Sequence, residues 1–137
     1  MTRLIADIGG TNARFALVGA DGLPAGERHL LVRDFPDLAA AADAYLGGRR
    51  AEEAVIAVAT PVESDRISFT NSPWTFSIAA LRERLGFREL AVINDFVAQA
   101  LATPHLGPGE LEPIGGGGAP VPGRAVGVIG PGTGLGV

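Results

Sequence analysis

The sequence predicts an α/β fold with one mixed sheet, in which three antiparallel strands are followed by helix-linked parallel strands and helices lie on the sheet faces. Three observations lead to it. Near the N-terminus, three apolar runs follow one another through short, turn-rich links. Downstream, runs with helical spacing alternate with continuous apolar runs. The first link is a Gly-Gly-Thr-Asn turn, and a Gly-rich, Thr-bearing turn returns at residues 130–136.

Leu4–Ile8, Ala13–Val18 and Glu27–Val32 read as consecutive strands. Their short links, one carrying Asp21-Gly22 and Pro24, favour an antiparallel meander. Pro36 is placed to open a helix at the first position. Leu38, Ala42, Tyr45 and Leu46 share a face of that helix, and Gly47-Gly48 stop it. Ala54–Ala59 is continuously apolar, as a strand covered on both faces should be. A hairpin-like insertion follows through Arg66–Thr70 and Asn71-Ser72-Pro73-Trp74. Ser77 suits the N-cap of a helix whose Ile78, Leu81 and Leu85 share a face, with Gly86 at its end. Leu90–Ile93 reads as another buried strand. Asn94-Asp95 then lead into a helix bearing Phe96, Val97, Ala100 and Leu101, stopped by Pro104.

These elements divide the chain into an N-terminal α/β lobe over residues 1–104 and a Pro/Gly-rich linker over 105–124. Residues 125–137 would then be the first strand and turn of a second lobe. The sequence stops at Val137, inside that second turn, so the expectation is the N-terminal portion of a longer protein with its second lobe truncated.

Composition narrows the function. An apolar fraction of 47% over 137 residues suffices for a core. A net charge of −4 gives no electrostatic footprint for nucleic acid or an anionic membrane. The clusters Arg49-Arg50 and Arg82, Arg84, Arg88 read as solvated faces, and His29 and His105 as ordinary surface histidines. Cysteine is absent, which removes disulfides and thiolate metal sites. No signal peptide precedes the first strand, and no apolar run is long enough to span a bilayer. The expectation is a soluble, cytoplasmic protein.

Three segments carry chemistry. In Ala6-Asp7-Ile8-Gly9-Gly10-Thr11-Asn12, the two glycines can take positive φ and leave no Cβ in the way. Successive N–H groups can then converge on an anion, with Thr11 and Asn12 adding donors. Asp7 would repel a bare phosphate, but fits one accompanied by hydrated Mg²⁺. A plain hairpin turn with a surface Asp stays open as the alternative. The second turn, Gly130-Pro131-Gly132-Thr133-Gly134, repeats the pattern and suggests two hairpin tips facing one nucleotide. It does not complete a dinucleotide fingerprint, because the third glycine would fall on Leu135 or Val137. With no lysine in the chain, no P-loop exists either.

Asn94-Asp95 lies at the carboxyl end of a buried strand, where ligands bind in open α/β sheets. There Asp95 can take the proton of an attacking hydroxyl, or else one of the pair is simply a helix cap. Thr60-Pro61-Val62 occupies another carboxyl end. Asn71-Ser72-Pro73-Trp74 is polar, rigid and aromatic enough to line a sugar pocket. The alternative there is a turn with Trp74 anchored in the core.

Together, residues 6–14, 59–62, 70–78, 93–98 and 130–137 resemble the bacterial glucokinase family of the actin-like ATPase and sugar-kinase superfamily, in order and spacing. The resemblance covers essentially the whole chain. It implies ribonuclease-H-like lobes with the substrates, glucose and ATP, in the cleft between them. Residues Ala6 to Asn12 would form the first phosphate turn, with Asp7 near Mg²⁺ through water. Gly132, Thr133 and Gly134 would belong to the second. Asn94 and Asn71 would bind the sugar, and Asp95 would take the proton of the glucose 6-hydroxyl. The full-length protein would be a homodimer.

The resemblance also implies that further sugar ligands and most of the adenine pocket lie on the second lobe, so the fragment alone would be inactive. A kinase for another hexose or an amino sugar is the alternative of the same class. A non-catalytic sugar-sensing regulator is the alternative of another class. Such regulators carry a DNA-binding helix-turn-helix ahead of the kinase-like lobe, whereas here the phosphate strand starts near Arg3 and the charge is unfavourable.

Overall fold

The computed structural model describes residues 1–115, 121–131 and 135–136. The chain forms two compact units, Met1–Asp95 and Phe96–Val137.

The first unit is built on a five-stranded mixed sheet. Its strands are β1 (Arg3–Ile8), β2 (Asn12–Val18), β3 (Pro24–Leu31), β4 (Glu53–Val58) and β7 (Glu89–Asn94), in the order β3-β2-β1-β4-β7. β1–β2 and β2–β3 are antiparallel, while β1–β4 and β4–β7 are parallel. The predicted architecture is therefore observed. Pro24 opens the edge strand β3, a position where its missing N–H costs little.

Alternation along β1 sends Leu4, Ala6 and Ile8 to one face of the sheet, where Ala13, Phe15, Ala54, Ile56 and Val58 join them in the core. Helices α1 (Leu38–Leu46) and α2 (Ile78–Leu85) contribute Leu38, Ala41, Ala42, Tyr45 and Leu81 to the same core. Tyr45 stacks on Phe15 with ring centroids 5.3 Å apart, and its hydroxyl donates to Gly26 O at 3.0 Å. That one side chain ties α1 to both β2 and β3.

The helix ends follow their sequence signals, with one correction. Pro36 does not open α1. Asp37 is the N-cap, and its carboxylate accepts the Ala40 N–H at 2.7 Å, so the proline lies just outside the helix. A short carboxylate can satisfy an otherwise orphaned amide, whereas proline at that place offers nothing to it. Burial pushes the Asp37 carboxyl up, but the Ala40 N–H and the Arg84 guanidinium outweigh this and hold it below the usual range. Gly47 ends α1 in the left-handed region at φ 55°, and Gly86 ends α2 at φ 69°. Ser77 caps α2, its hydroxyl accepting the Ala80 N–H at 3.1 Å. The predicted insertion is a two-stranded ribbon of β5 (Arg66–Ser68) and β6 (Thr75–Ser77).

The arginines are more engaged than a solvated face. Arg49 lies over the Tyr45 ring and donates to the carbonyls of Tyr45 and Leu46, closing the last turn of α1. Arg84 pairs with Asp37 at 3.0 Å. Arg88 lies beyond α2 and pairs with Glu53, which also receives two hydrogen bonds from Arg3, at 2.8 and 3.2 Å.

Glu53 is only 8% exposed, so its charge depends on these partners. Hydrogen bonds from Arg3, and then from Arg88, hold its carboxyl below the usual glutamate value. The lowered folded value makes its stabilisation fully present above the unfolded pKa near 4.5, and lost as pH falls through the folded value. Glu53→Gln should therefore lower the urea midpoint at neutral pH and shrink its fall between about pH 5 and pH 3. An undiminished acid-induced fall in the variant would show that the cluster does not carry this pH dependence.

The second unit holds most of helix α3 (Asp95–Ala102), which is followed by a short 3-10 turn at Thr103–His105. Val97 and Leu101 of its apolar stripe are exposed at 48% and 62%. The strand expected at the start of residues 125–137 is not present over 125–129, where Val126 and Ile129 are exposed. An apolar run becomes a strand only when a neighbour takes its backbone groups. Among the described residues of this unit, the strand pairing is β8 (Gly130–Pro131) against β9 (Leu135–Gly136), antiparallel. Gly130 is small for a packing reason, since a Cβ there would lie 2.6 Å from the Phe96 ring.

Candidate active site

The parallel register brings the carboxyl ends of three strands level. Ile8 pairs with Val58, and Val58 with Asn94. Two strand spacings separate Ile8 from Asn94, about 10 Å. Onto this edge open the turn after β1, the Ala59-Thr60 segment after β4 and the Asn94-Asp95 step after β7.

The turn after β1 is closed by the Gly9 N–H donating to Asn12 O at 2.9 Å. Neighbours hold it on both flanks. The Ala59 N–H donates to Ile8 O at 3.1 Å, and the Val32 N–H to Thr11 O at 2.9 Å. Among the described residues, the N–H groups of Gly10 and Thr11 have no intramolecular acceptor. A turn held on both flanks, with two unsatisfied donors at its tip, has the geometry to receive an anion.

The glycines serve differently from the expectation. Neither Gly9 nor Gly10 has positive φ. Gly10 is required by close approach instead, because a Cβ there would stand 2.7 Å from Asn71 O. Ala6 and Ile8 lie in the core at 9% and 0% exposure, so their side chains support the turn from beneath. Thr11 and Asn12 are exposed at the tip.

Asp7 lies on the sheet face opposite Ile8, with its carboxylate about half exposed and accepting from Arg14 Nη1 at 3.3 Å. Sequence reading singled out Asp7 without Arg14. The signal was available, because the hairpin register that pairs Ile8 with Ala13 necessarily sets Asp7 against Arg14.

Asn94 is the junction of the edge. Its Nδ2 donates to Thr60 O at 3.3 Å and to Asp95 Oδ1 at 3.0 Å. Thr60 is buried, and its hydroxyl donates to Ser68 O at 3.2 Å, which joins this edge to the ribbon. One oxygen of Asp95 is thereby oriented by the Asn94 amide. The sequence placed Thr60 at a strand end but could not give it this anchoring role, which depends on its carbonyl meeting a side chain 34 residues away.

Asn71 is exposed beside Gly10. Trp74 is in the core at 2% exposure, with its indole N–H donating to Phe35 O at 3.1 Å. Its ring is thus an anchor for the segment and offers no open face to a sugar. The structure therefore gathers Asn71, Asn94, Asp95 and the Gly9–Asn12 turn in one unit. Gly132, Thr133 and Gly134 lie outside the described residues. No group of three His, Cys, Asp or Glu side chains suited to holding a metal exists among the described residues.

A mixed sheet with three antiparallel strands, a glycine turn after the first, and polar residues at the parallel carboxyl ends defines the ribonuclease-H-like lobe of sugar kinases. Solved structures similar to this chain share it. A glucokinase from an Antarctic psychrotroph superposes with a TM-score of 0.73 at 36% identity, over 79% of this chain and 36% of that one. A ROK family glucokinase from Streptomyces griseus, in complex with glucose and AMPPNP, superposes with a TM-score of 0.55 at 24% identity. It covers 74% of this chain and 35% of its own, and shows the fold alone. In sequence, the glucokinase of Paramagnetospirillum magneticum is 49% identical over 98% of this chain and 43% of its own length.

A sequence model of the glucokinase family matches residues 4–137, and the chain belongs to that family. It spans less than half the length of these relatives.

Proposed function

We propose that the full-length protein is an ATP-dependent glucokinase and that this chain supplies its catalytic base and first phosphate turn. The observation that carries the reading is the Asn94 amide bridging Thr60 O and Asp95 Oδ1 on the strand edge that also bears the Gly9–Asn12 turn. In that reading the 6-hydroxyl oxygen of glucose attacks the γ-phosphorus of ATP. The bond from γ-phosphorus to the β,γ-bridging oxygen breaks, its electrons leave with ADP, and the hydroxyl proton passes to Asp95. In a loose transition state this transfer is late, so Asp95 chiefly orients the hydroxyl. Asn94 and Asn71 hold sugar hydroxyls, and the Gly10 and Thr11 N–H groups receive phosphate oxygens.

Mg²⁺ fits this donor set. A single half-exposed carboxylate, Asp7, suits an ion that keeps most of its waters and takes its other ligands from phosphate. When bound, the ion neutralises charge on the transferring phosphates. Family resemblance would assign Gly132, Thr133 and Gly134, which lie outside the described residues, to a second phosphate turn. In the full-length protein, residues 1–104 would belong to the small lobe, 105–124 to a linker and 125–137 to the second lobe, a division by sequence that differs from the two compact units, Met1–Asp95 and Phe96–Val137. Family resemblance further supports a cytoplasmic homodimer, and the net charge of −4 agrees with small-molecule partners rather than nucleic acid or membrane. No described helix is long and apolar enough to cross a bilayer.

An assay of the full-length protein with Mg·ATP and a panel of hexoses and amino sugars tests the reading. Glucose should give the highest kcat/KM, with glucose 6-phosphate as product. A higher value for another sugar would reassign the substrate, and no turnover with any sugar would overturn the enzyme class.

A further inference from the structure

Gly10 belongs to the phosphate turn, yet the segment that crowds it is the one assigned to the sugar. A Cβ at Gly10 would lie 2.7 Å from Asn71 O, 3.0 Å from Asn71 Cβ and 3.3 Å from Asn71 C. Two of these three atoms are backbone, so no side-chain rotation relieves the overlap. The other end of the segment is fixed as well. Trp74 is buried and held to Phe35 O, the Ser72 hydroxyl accepts the Trp74 N–H at 3.2 Å, and the Phe69 N–H reaches Trp74 O at 3.4 Å. The loop is anchored in the core through Trp74 and meets the phosphate turn at Gly10 through Asn71, which is exposed.

We infer that Gly10 is a positioning residue for the sugar. By lacking a side chain it lets Asn71 settle against the phosphate turn, and that contact makes the sugar segment and the phosphate turn one mechanical unit. The inference rests on the proposed function, specifically on Asn71 facing the sugar. Its consequence is unusual for a phosphate-loop glycine, because substitution should weaken sugar binding when no nucleotide is present.

The test is calorimetric titration of the nucleotide-free, full-length protein with glucose. Gly10→Ala should raise the glucose Kd by at least about tenfold, since misplacement of about 1 Å is enough for losses of this size. Trp74→Phe keeps an aromatic ring and removes only the indole donor to Phe35 O. It should raise the glucose KM while kcat at saturating glucose stays within about twofold, a split that general destabilisation would not produce. In the unsubstituted protein, glucose alone should slow hydrogen exchange at the Gly10 and Thr11 amides, a readout independent of whether either variant folds. Wild-type affinity in folded Gly10→Ala, or unchanged exchange at those amides with glucose bound, would overturn the inference. Failure of the unsubstituted protein to bind glucose would instead overturn the functional reading beneath it.

Discussion

Asp95→Asn should lower kcat for glucose about 10²–10⁴-fold in the full-length protein while leaving Mg·ATP affinity intact. The substitution keeps the size and shape of the side chain and an oxygen for the Asn94 amide, which now donates to Asp95 Oδ1 at 3.0 Å. It removes the charge and the ability to accept the hydroxyl proton. A matched fall in kcat and kcat/KM would mark a loss confined to the transition state. Steady-state kinetics with glucose varied at saturating Mg·ATP provide the measurement. A variant retaining more than about a tenth of wild-type kcat would leave Asp95 as the first residue of α3 and nothing more.

Gly10→Val should weaken Mg·ATP binding by at least about a hundredfold, read by calorimetry on the full-length protein. The strain does not come from φ, since Gly10 is not in the left-handed region. It comes from Asn71 O, which would lie 2.7 Å from the first added carbon, before the two further methyls of valine are placed. Either the loop or the turn must move. The turn is held by Ala59 to Ile8 and by Val32 to Thr11, so displacement misaligns the Gly10 and Thr11 N–H groups that are to receive phosphate. Unchanged Mg·ATP affinity in a folded variant would mean that this turn is structural and that phosphate binds elsewhere.

The sheet was legible because its signals are local. Leu4–Ile8, Ala13–Val18 and Leu90–Ile93 are apolar runs bounded by glycines or polar residues, and each agrees with its observed strand within one residue. The helix ends were legible where one residue supplies the whole mechanism, as Ser77 and Gly86 do. The start of α1 is ambiguous in sequence because Pro36 and Asp37 are adjacent and both are start signals. The structure uses the one whose side chain can accept an amide.

Residues 125–129 look like a strand from their apolar pattern, but strand formation depends on a partner that a local pattern does not contain. The candidate site was legible as separate segments and not as a constellation. Asp95 and Asn94 stood out by their position at a strand end. The ion pair from Arg14 to Asp7 follows from the hairpin register, whereas the bridge to Thr60 O and the seat of Asn71 on Gly10 are contacts between distant segments. The last of these also changes the reason for a glycine, from backbone freedom to close approach.

In the proposed enzyme one strand edge presents the proton acceptor for the sugar and the phosphate donors for the nucleotide. The most direct measurement is a crystal structure of the full-length protein with glucose and a non-hydrolysable ATP analogue. The glucose 6-hydroxyl oxygen should lie at hydrogen-bond distance from Asp95, about 2.6–3.2 Å, with phosphate oxygens on the Gly10 and Thr11 N–H groups. A sugar whose 6-hydroxyl meets a different base, or a triphosphate that does not touch the Gly9–Asn12 turn, would contradict it.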